Sequence, residues 1–399
     1  MPKIIVEKEG FYRLSGNSSK RSHLPPGTEC WLEQKDNSLI LLPLLSDIRK
    51  LYIEPTTDCN LNCLTCVRNV WDDTKASMDI EVYNELMKQT EELPLLKSIV
   101  FGGIGEPLIH PKILKMIQLA RNRNLEITVS TNGTHLDKAL SAELIKLGVK
   151  KLIISLDGVK PDTYSGVRGA LLSQVLENIN ALNETKQNLD SLLPAVEIEF
   201  VALKRNIEEL KALCELASEY AVSRVLVTNV LAHTEEMKDE ILYGYEPRPP
   251  FQVRSWPVKL DTWVLLGTPD LPKMHWGAEQ RCQFIQDKAL VIGWDGNVIP
   301  CYALSHNYSY YTVDGRLKHV SRYTHGHILQ NSLLEIWTSE EYVRFRNEVQ
   351  TFNFPSCPDC DLRETCDLRE QNEACWGWNP SCADCLYAQD IVRCPGGGR

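Results

Sequence analysis

Residues 54–69, EPTTDCNLNCLTCVRN, carry three closely spaced cysteines, Cys59, Cys63 and Cys66. A cubane iron–sulfur cluster takes one thiolate on each of its four irons, so a loop with three cysteines leaves one iron open to a substrate-like ligand. The alternative is structural zinc, which this loop fits poorly because it has no nearby histidine to complete the ligand set. The loop is therefore a candidate catalytic iron–sulfur site.

Short β-branched runs alternate with amphipathic stretches on the C-terminal side of this motif. Asp79, Pro111 and Asp137 are typical residues for the helix starts. Six βα repeats predict an α/β fold with a parallel sheet, since parallel strands need crossover connections, and six units rather than eight predict an open partial barrel. The predicted strands are KLYIEP, KSIVFGG, EITVSTNG, KLIISLDG, AVEIEFVAL and SRVLVTNV.

Polar and glycine residues follow nearly every one of these strands. The first strand leads to the cysteine loop, and the others lead to GGIGEP, STNG, SLDG and TNV. Sites in parallel α/β folds lie beyond the carboxyl ends of the strands. We therefore expect one cavity that is lined from several strands.

Four regions are predicted along the chain. Residues 1–48 form a small β-rich unit, in which TECWLEQKDNSLILLP reads as two strands around a turn at Lys35 to Ser38. Residues 49–230 form the partial barrel, and residues 231–281 form an irregular connection that contains Trp256, Trp263 and Trp276, either a substrate wall or core. Residues 282–399 form a cysteine-rich unit.

Composition narrows the class of protein. The formal net charge of −10 argues against nucleic acid as a partner, because phosphate binding favours a basic surface. No signal peptide and no apolar run of about 18 residues are visible, so we expect a cytoplasmic protein without a membrane partner. In a reducing compartment disulfides are disfavoured, and the 14 cysteines then indicate metal or cluster ligation.

The three-cysteine loop after the first strand, GEP after the second and SLDG after the fourth together resemble the radical S-adenosylmethionine (SAM) superfamily over roughly residues 49–230. The resemblance implies that Cys59, Cys63 and Cys66 hold a [4Fe–4S] cluster whose open iron binds SAM. One electron then cleaves SAM to methionine and a 5′-deoxyadenosyl radical, which abstracts hydrogen from the substrate. It also implies a reduced ferredoxin or flavodoxin as electron donor.

The same resemblance implies a set of SAM contacts. GGIGEP matches the loop that holds the methionine group, although Ile104 stands where a glycine is expected. Turn or capping roles are the alternative for these residues. The implied contacts are Gly103, Gly105, Glu106, Ser130, Asn132, Ser155, Asp157, Arg168 and Leu203, with Val201 to Leu203 covering the adenine.

The C-terminal cysteines resemble the SPASM extension of peptide-modifying radical SAM enzymes, which binds two auxiliary [4Fe–4S] clusters. GWDGNVIPCYAL is similar to its β-hairpin. By analogy, Cys282, Cys301 and Cys375 belong to the nearer cluster, and Cys357, Cys360 and Cys366 to the farther one. Which of Cys382, Cys385 and Cys394 complete the two sets stays open. One or two zinc sites are the alternative.

Three longer stretches resemble the radical SAM maturases associated with tungsten-cofactor oxidoreductases of the aldehyde:ferredoxin type: FVALKRNIEEL, VTNVLAHTEEMKDEILY and CWGWNPSCADCLYAQDIVRCP. The implied partner is a tungstopterin-dependent oxidoreductase or its pterin cofactor. The alternatives are a SPASM-type enzyme that modifies a ribosomally made peptide and a non-catalytic zinc-binding scaffold. Candidate substrate contacts, or alternatively members of an ion-pair and capping network, are Lys204, Arg205, Asn229, His233, Thr234 and Glu235.

Overall fold

The computed structural model describes residues 4–6, 11–14, 29–35, 38–244, 269–274 and 280–394. The strands in these ranges are β1 Ile4–Val6, β2 Phe11–Leu14, β3 Glu29–Lys35, β4 Ser38–Pro43, β5 Lys50–Ile53, β6 Ser98–Phe101, β7 Glu126–Thr131, β8 Lys151–Ser155, β9 Ala195–Ala202, β10 Arg224–Asn229, β11 Ala289–Ile292, β12 Asn297–Ile299, β13 Tyr308–Tyr311, β14 Leu317–Val320 and β15 Gly326–His327. The α-helices are α1 Ile80–Gln89, α2 Ile113–Asn122, α3 Lys138–Lys146, α4 Pro161–Arg168, α5 Leu172–Asn188, α6 Leu210–Glu219, α7 Glu235–Lys238, α8 Gln283–Gln286, α9 Leu333–Thr338 and α10 Glu340–Thr351.

Strands β5 to β10 lie side by side in chain order, and each pairs with the next in parallel. The prediction of six parallel strands is confirmed. Asp79 and Asp137 cap α1 and α3 through their carboxylates, as predicted. Helix α2 begins at Ile113, so Pro111 lies two residues before its first turn rather than in it.

The core of the barrel lies between this sheet and its helices. Ile99, Ile127, Leu152 and Ile198 are fully buried on neighbouring strands. Each such side chain stabilises the fold by roughly 1.5–3 kcal/mol relative to exposure in water. Parallel strands are covered on both faces, which is why they read as continuous apolar runs rather than as alternating ones. The packed core thus leaves polar residues to the strand ends.

The sheet continues beyond the six predicted strands. Strand β11, from the cysteine-rich region, pairs in parallel with β5, and β12 and β15 follow in antiparallel order. The predicted hairpin is present, with Gly296 at φ +84° in its turn. Cys301 comes two residues after β12. The hairpin therefore fixes the start of the cysteine-rich region against the first barrel strand.

The N-terminal strands β1 to β4 form a separate antiparallel sheet. The predicted pairing of β3 with β4 is confirmed and extends to Lys35 opposite Ser38. Trp31 Nε1 of β3 donates to the carbonyl of Thr338 at 3.1 Å, which ties this sheet to α9. Trp256, Trp263 and Trp276 lie outside the described residues, and the division into four regions stays a prediction.

None of the helices in the described ranges has both the length and the apolar character that are needed to cross a membrane.

Candidate active site

A cavity of about 280 Å³ opens at the carboxyl ends of the barrel strands. The structure brings together there most of the residues that the sequence singled out. Those lining it are Cys59, Cys63, Cys66, Gly103, Gly105, Glu106, Ser130, Asn132, Ser155, Arg168, Val201, Asn229 and His233. Residues of the cysteine-rich region, such as Tyr302 and Tyr387, close the remaining side.

The three cysteine sulfurs of the loop each lie near an N–H donor. Cys59 Sγ accepts from the backbone N–H two residues further on, at 3.4 Å. Arg68 Nε donates to Cys66 Sγ at 3.4 Å, and Arg168 Nη1 lies 3.9 Å from Cys63 Sγ. Donors to sulfur stabilise thiolates and tune the potential of a cluster that thiolates hold. This donor set fits a [4Fe–4S] cluster.

Burial raises the pKa of the Cys59 and Cys63 thiols, and the neighbouring guanidinium groups oppose that rise. Metal ligation requires the deprotonated sulfur, so iron binding releases these protons.

Arg68 and Asn69 brace the cysteine loop, and the sequence prediction missed both. The Arg68 guanidinium also bonds the carbonyl of Leu61, and Asn69 Nδ2 donates to the carbonyl of Cys63 at 3.0 Å. The signal was present in the sequence, because VRN follows the third cysteine directly and offers donors at the point where the loop must turn.

Gly105 in GGIGEP lies against the cysteine loop. A Cβ atom at this position would lie 2.2 Å from the carbonyl oxygen of Thr56 and 2.5 Å from that of Asp58, both backbone atoms that cannot rotate away. The next residue, Glu106, donates its backbone N–H to the Asp58 carbonyl at 2.8 Å. Only glycine permits this contact between the two loops.

The departure at Ile104 has a structural reason. Gly103 has φ +120°, and a Cβ there would lie 2.6 Å from Glu54 Cγ. Ile104 then donates its backbone N–H to Glu54 Oε1 at 3.0 Å. The glycine pair is displaced by one position, and a buried carboxylate holds the altered turn.

Glu106 joins the second and third strand ends. Its Oε1 accepts from the Leu108 N–H at 3.0 Å and from Thr131 Oγ1 at 2.7 Å, while Oε2 accepts from the Asn132 N–H at 2.7 Å. Burial raises the pKa of Glu106 in spite of these bonds. Asn132 Nδ2 in turn lies 3.8 Å from Cys59 Sγ. Glu106 therefore lines the cavity and also positions Asn132, whose side chain lies next to the cysteine loop.

Asp157 and Leu203 do not line the cavity, unlike the other implied SAM contacts. Asp157 is fully buried; its Oδ2 lies 2.5 Å from Arg168 Nε and its Oδ1 accepts from the Val201 N–H at 2.7 Å. Burial alone would lower the pKa of Arg168, but the carboxylate of Asp157 raises it above its ordinary value. Asp157 thus holds Arg168 in the cavity wall, and Val201 lines the wall in place of Leu203.

A buried triad joins the barrel to the cysteine-rich region. His306 Nε2 lies 3.0 Å from both carboxylate oxygens of Glu54, and His306 Nδ1 lies 2.8 Å from Asp73 Oδ2. Burial lowers the pKa of His306, but the two carboxylates outweigh it and raise that pKa above 6.5. Sequence reasoning missed this triad because Glu54 and His306 are 252 positions apart.

Only two of the six candidate substrate contacts, Asn229 and His233, line the cavity. Arg205 and Glu235 follow the alternative interpretation, whereas the Thr234 side chain makes no capping hydrogen bond to the helix that it precedes. Arg205 Nε pairs with Glu240 Oε1 at 2.7 Å, and Glu235 Oε1 pairs with Lys238 at 2.7 Å, both on exposed surface. Glu199, which the sequence analysis did not single out, lines the cavity, and burial raises its pKa to about 7.

A second cavity of about 300 Å³ adjoins the first and is lined by cysteines from three segments: Cys282, Cys301, Cys382, Cys385 and Cys394. The two cavities share wall residues, among them Tyr302, Tyr387 and Arg393. Five thiols around one cavity exceed the four that a [4Fe–4S] cluster takes, so the donor set fits an auxiliary cluster with one thiol to spare.

The structure departs here from the predicted grouping of cysteines. Cys375, assigned by analogy to the nearer cluster, is exposed and does not line the second cavity. Cys375 comes after the segment that carries Cys357, Cys360 and Cys366. That segment consists of short 3₁₀ turns and their connections. No group of three or more Cys, His, Asp or Glu side chains in the described ranges has the close spacing of a single-metal site.

Comparisons with known proteins agree with this geometry. Residues 53–217 match the radical SAM superfamily, and residues 282–361 match SPASM, an iron–sulfur cluster-binding domain. The chain is 36% identical over 352 residues to the tungsten-containing aldehyde ferredoxin oxidoreductase cofactor-modifying protein of Pyrococcus furiosus, covering 87% of this chain and 97% of that protein.

Solved structures share the fold. Streptococcus suis SuiB bound to S-adenosylmethionine gives a TM-score of 0.53 at 18% identity, covering 81% of this chain and 73% of that one. Native anSMEcpe with bound AdoMet gives 0.52 at 17% identity, covering 86% and 96%. The cysteine loop, the strand-end cavity and these matches together show that the chain belongs to the radical SAM superfamily, as an enzyme whose cofactors are SAM, a [4Fe–4S] cluster and auxiliary iron–sulfur clusters.

Proposed function

We propose that this enzyme matures a tungsten-dependent oxidoreductase of the aldehyde:ferredoxin type by modifying that enzyme or its pterin cofactor. The observation that carries the chemistry is the convergence of Cys59, Cys63 and Cys66 with the carboxyl ends of strands β6 to β10 on one cavity. The similarity to the Pyrococcus furiosus cofactor-modifying protein supports the substrate, since it extends over nearly the whole of both chains.

The chain's own residues have distinct tasks in this proposal. Cys59, Cys63 and Cys66 hold the cluster, and when bound the cluster and SAM supply a carbon-centred radical after one-electron reduction. Arg168 presents to the SAM carboxylate a guanidinium that Asp157 keeps charged and in place. A reduced ferredoxin or flavodoxin is the proposed electron donor.

Glu106, which follows the second barrel strand, accepts hydrogen bonds from the end of the third and so holds the two strand ends together beside the cofactor. Ser130, Asn132 and Ser155 place small polar groups on the same wall, where they suit hydrogen bonds to the methionine and ribose parts of SAM. Tyr302 and Tyr387, which line both cavities, separate the SAM cavity from water on the side of the cysteine-rich region.

We also propose a partition of the auxiliary cysteines. The nearer cluster takes four ligands from the five thiols around the second cavity, and the farther one takes Cys357, Cys360, Cys366 and Cys375. The partition leaves one of the nine cysteines without iron, and that one belongs to the nearer set. Support comes from the lining of the second cavity and from the exposed position of Cys375.

The test is coexpression of a tungsten-dependent oxidoreductase with and without this enzyme, followed by mass analysis of the oxidoreductase and of its extracted cofactor. We expect a mass change that appears only in the presence of the enzyme. Replacing all three loop cysteines with alanine should abolish it. An identical cofactor and protein mass in both cultures would refute the proposed substrate.

The chemistry is tested separately on the anaerobically purified enzyme. We expect roughly twelve irons per chain, from three four-iron clusters, and reductive cleavage of SAM to 5′-deoxyadenosine. A colourless protein that contains stoichiometric zinc would refute the radical mechanism. Cleavage of SAM together with crosslinking of a short peptide, and no change in the oxidoreductase, would favour the peptide-modifying alternative.

A further inference from the structure

Three buried polar groups line the SAM cavity and have no task in the SAM site described above. They are Glu199 on β9, Asn229 at the end of β10, and His233 shortly after it. Their residues are 8%, 1% and 6% exposed, respectively. Polar groups this deeply buried are normally hydrogen-bonded, and a missing partner costs free energy. Their unused bonding capacity therefore indicates what the cavity is built to receive.

Each of the three offers an acceptor. Within the described ranges, no donor forms a hydrogen bond to the Glu199 carboxylate, although the positive charges of Arg168 and Arg393 partly oppose the rise of its pKa. Asn229 Nδ2 donates to the carbonyl of Ile391 at 3.0 Å, while its Oδ1 is buried without a partner in the same part of the chain. An amide oxygen and a carboxylate can only accept from a ligand, apart from a protonated carboxyl.

His233 completes the set through its tautomer. Its Nδ1 lies 3.0 Å from the carbonyl oxygen of Ser309, which can only accept, so Nδ1 carries the hydrogen. Nε2 is then a bare acceptor on a residue that lines the cavity. Burial lowers the pKa of His233 to about 4, which keeps the ring neutral.

Aromatic rings stand beside these acceptors. Tyr302, Tyr308 and Tyr387 line the same cavity. Tyrosine faces favour flat rings through offset stacking, and they exclude water from hydrogen bonds at the ring edge. A wall of acceptors between aromatic side chains is complementary to a flat heterocycle whose edge carries N–H donors.

We propose that Glu199, Asn229 and His233 recognise a heterocycle with adjacent N–H donors, of the 2-amino-4-oxopyrimidine class that a pterin contains. This rests on the proposed function and makes the pterin cofactor, rather than a side chain of the oxidoreductase, the group that enters the cavity. The amino group and the ring N–H of such an edge lie side by side, so one carboxylate accepts both in a bidentate pair.

The test uses the anaerobic holoenzyme with SAM and follows the fluorescence of added 6-hydroxymethylpterin. We expect saturable binding. 6-Hydroxymethylpteridine-2,4-dione, which differs only by an oxygen in place of the amino group, should bind at least tenfold more weakly. This comparison needs no mutation, so it stands even if a variant fails to fold. Equal binding of the two ligands would overturn the proposal.

Glu199→Gln is the matching substitution, because it keeps the shape and replaces one acceptor with a donor. Because the substitution removes hydrogen bonds to a charged group, it should weaken pterin binding roughly ten- to hundredfold. Glu197→Gln is the control: it lies two residues away on the same strand, does not line the cavity, and pairs with Lys151 at 2.6 Å. Equal affinities in the two variants would overturn the assignment.

The outcome also separates this inference from the proposed function. A holoenzyme that modifies the oxidoreductase but does not bind the pterin would overturn the inference alone. If an arginine-containing peptide binds in the cavity and the pterin does not, the proposed heterocyclic ligand is refuted. The three acceptors would then form a binding site for a guanidinium group. A holoenzyme that binds the pterin but leaves the oxidoreductase and its cofactor unchanged would refute the proposed function alone.

Discussion

Replacing His306 with phenylalanine should weaken the junction between the barrel and the cysteine-rich region, and the loss should depend on pH. The His306 side chain is fully buried, and the Glu54 side chain is 4% exposed. Phenylalanine keeps a ring against Trp71, whose centroid lies 5.3 Å from that of His306. It removes the hydrogen bonds to both carboxylates and leaves Glu54, among the described residues, with the N–H of Ile104 as donor.

Breaking a buried ion pair by removing one partner costs about 3–5 kcal/mol. With an unfolding entropy of about 2.1 cal/mol/K per residue, a chain of 399 residues loses about 4–6 °C in Tm for that cost. The sign of the pH dependence follows from the raised pKa of His306. The stabilisation is complete below pH 6.5, the ordinary value, and is lost as pH rises through the higher folded-state pKa.

The assay is thermal unfolding of the anaerobic holoenzyme, followed by circular dichroism at several pH values from about 6 to about 9. The difference in Tm between wild type and His306→Phe should be largest at the acid end. His319→Phe is the control, because His319 is an exposed histidine with one bond to Ser309. A difference that stays constant with pH, or one no larger than that of the control, would refute a charged His306.

Three further predictions test the loops and the cysteine partition. Gly105→Ala should abolish SAM binding measured by equilibrium dialysis, because its Cβ would lie 2.2 Å from a backbone oxygen; unchanged binding would contradict the loop contact. Asp157→Asn should lower SAM affinity about tenfold by leaving Arg168 without its buried counter-ion, whereas Asp162→Asn, on an exposed first turn, should not. Cys375→Ala and Cys301→Ala should each remove about four irons, and the double variant should lose roughly eight. A double variant that loses only about four irons would place both cysteines on one cluster.

The fold and the position of the cavity could be predicted from the sequence because their signals are local. Buried parallel strands appear as apolar runs, and their carboxyl ends must lie at one edge of the sheet. Cys59, Cys63, Cys66 and Glu106 lie in the loops that follow such runs. Their presence around one cavity needed only the order of the strands, which the βα repeats supplied.

The partition of the auxiliary cysteines could not be predicted in the same way. Cys375 and Cys382 are seven positions apart in the sequence, yet Cys382 lines the second cavity and Cys375 is exposed. The path of irregular chain between them decides this, and no periodic pattern reports it. Asp157 is a similar case, because its place in the motif predicted its position at a strand end but not that its carboxylate pairs with Arg168 instead of lining the cavity.

Strand β11 explains why the auxiliary cysteines and the SAM site behave as one structure. Its residues pair with β5 in register, Leu290 opposite Leu51 and Ile292 opposite Ile53. A shift of one residue would turn every side chain of a strand to the opposite face, so burial on both sides fixes this register. Tyr302, which follows Cys301 directly, then lines both cavities. The spacing between the two cavities is therefore set by a hydrogen-bonded strand pair.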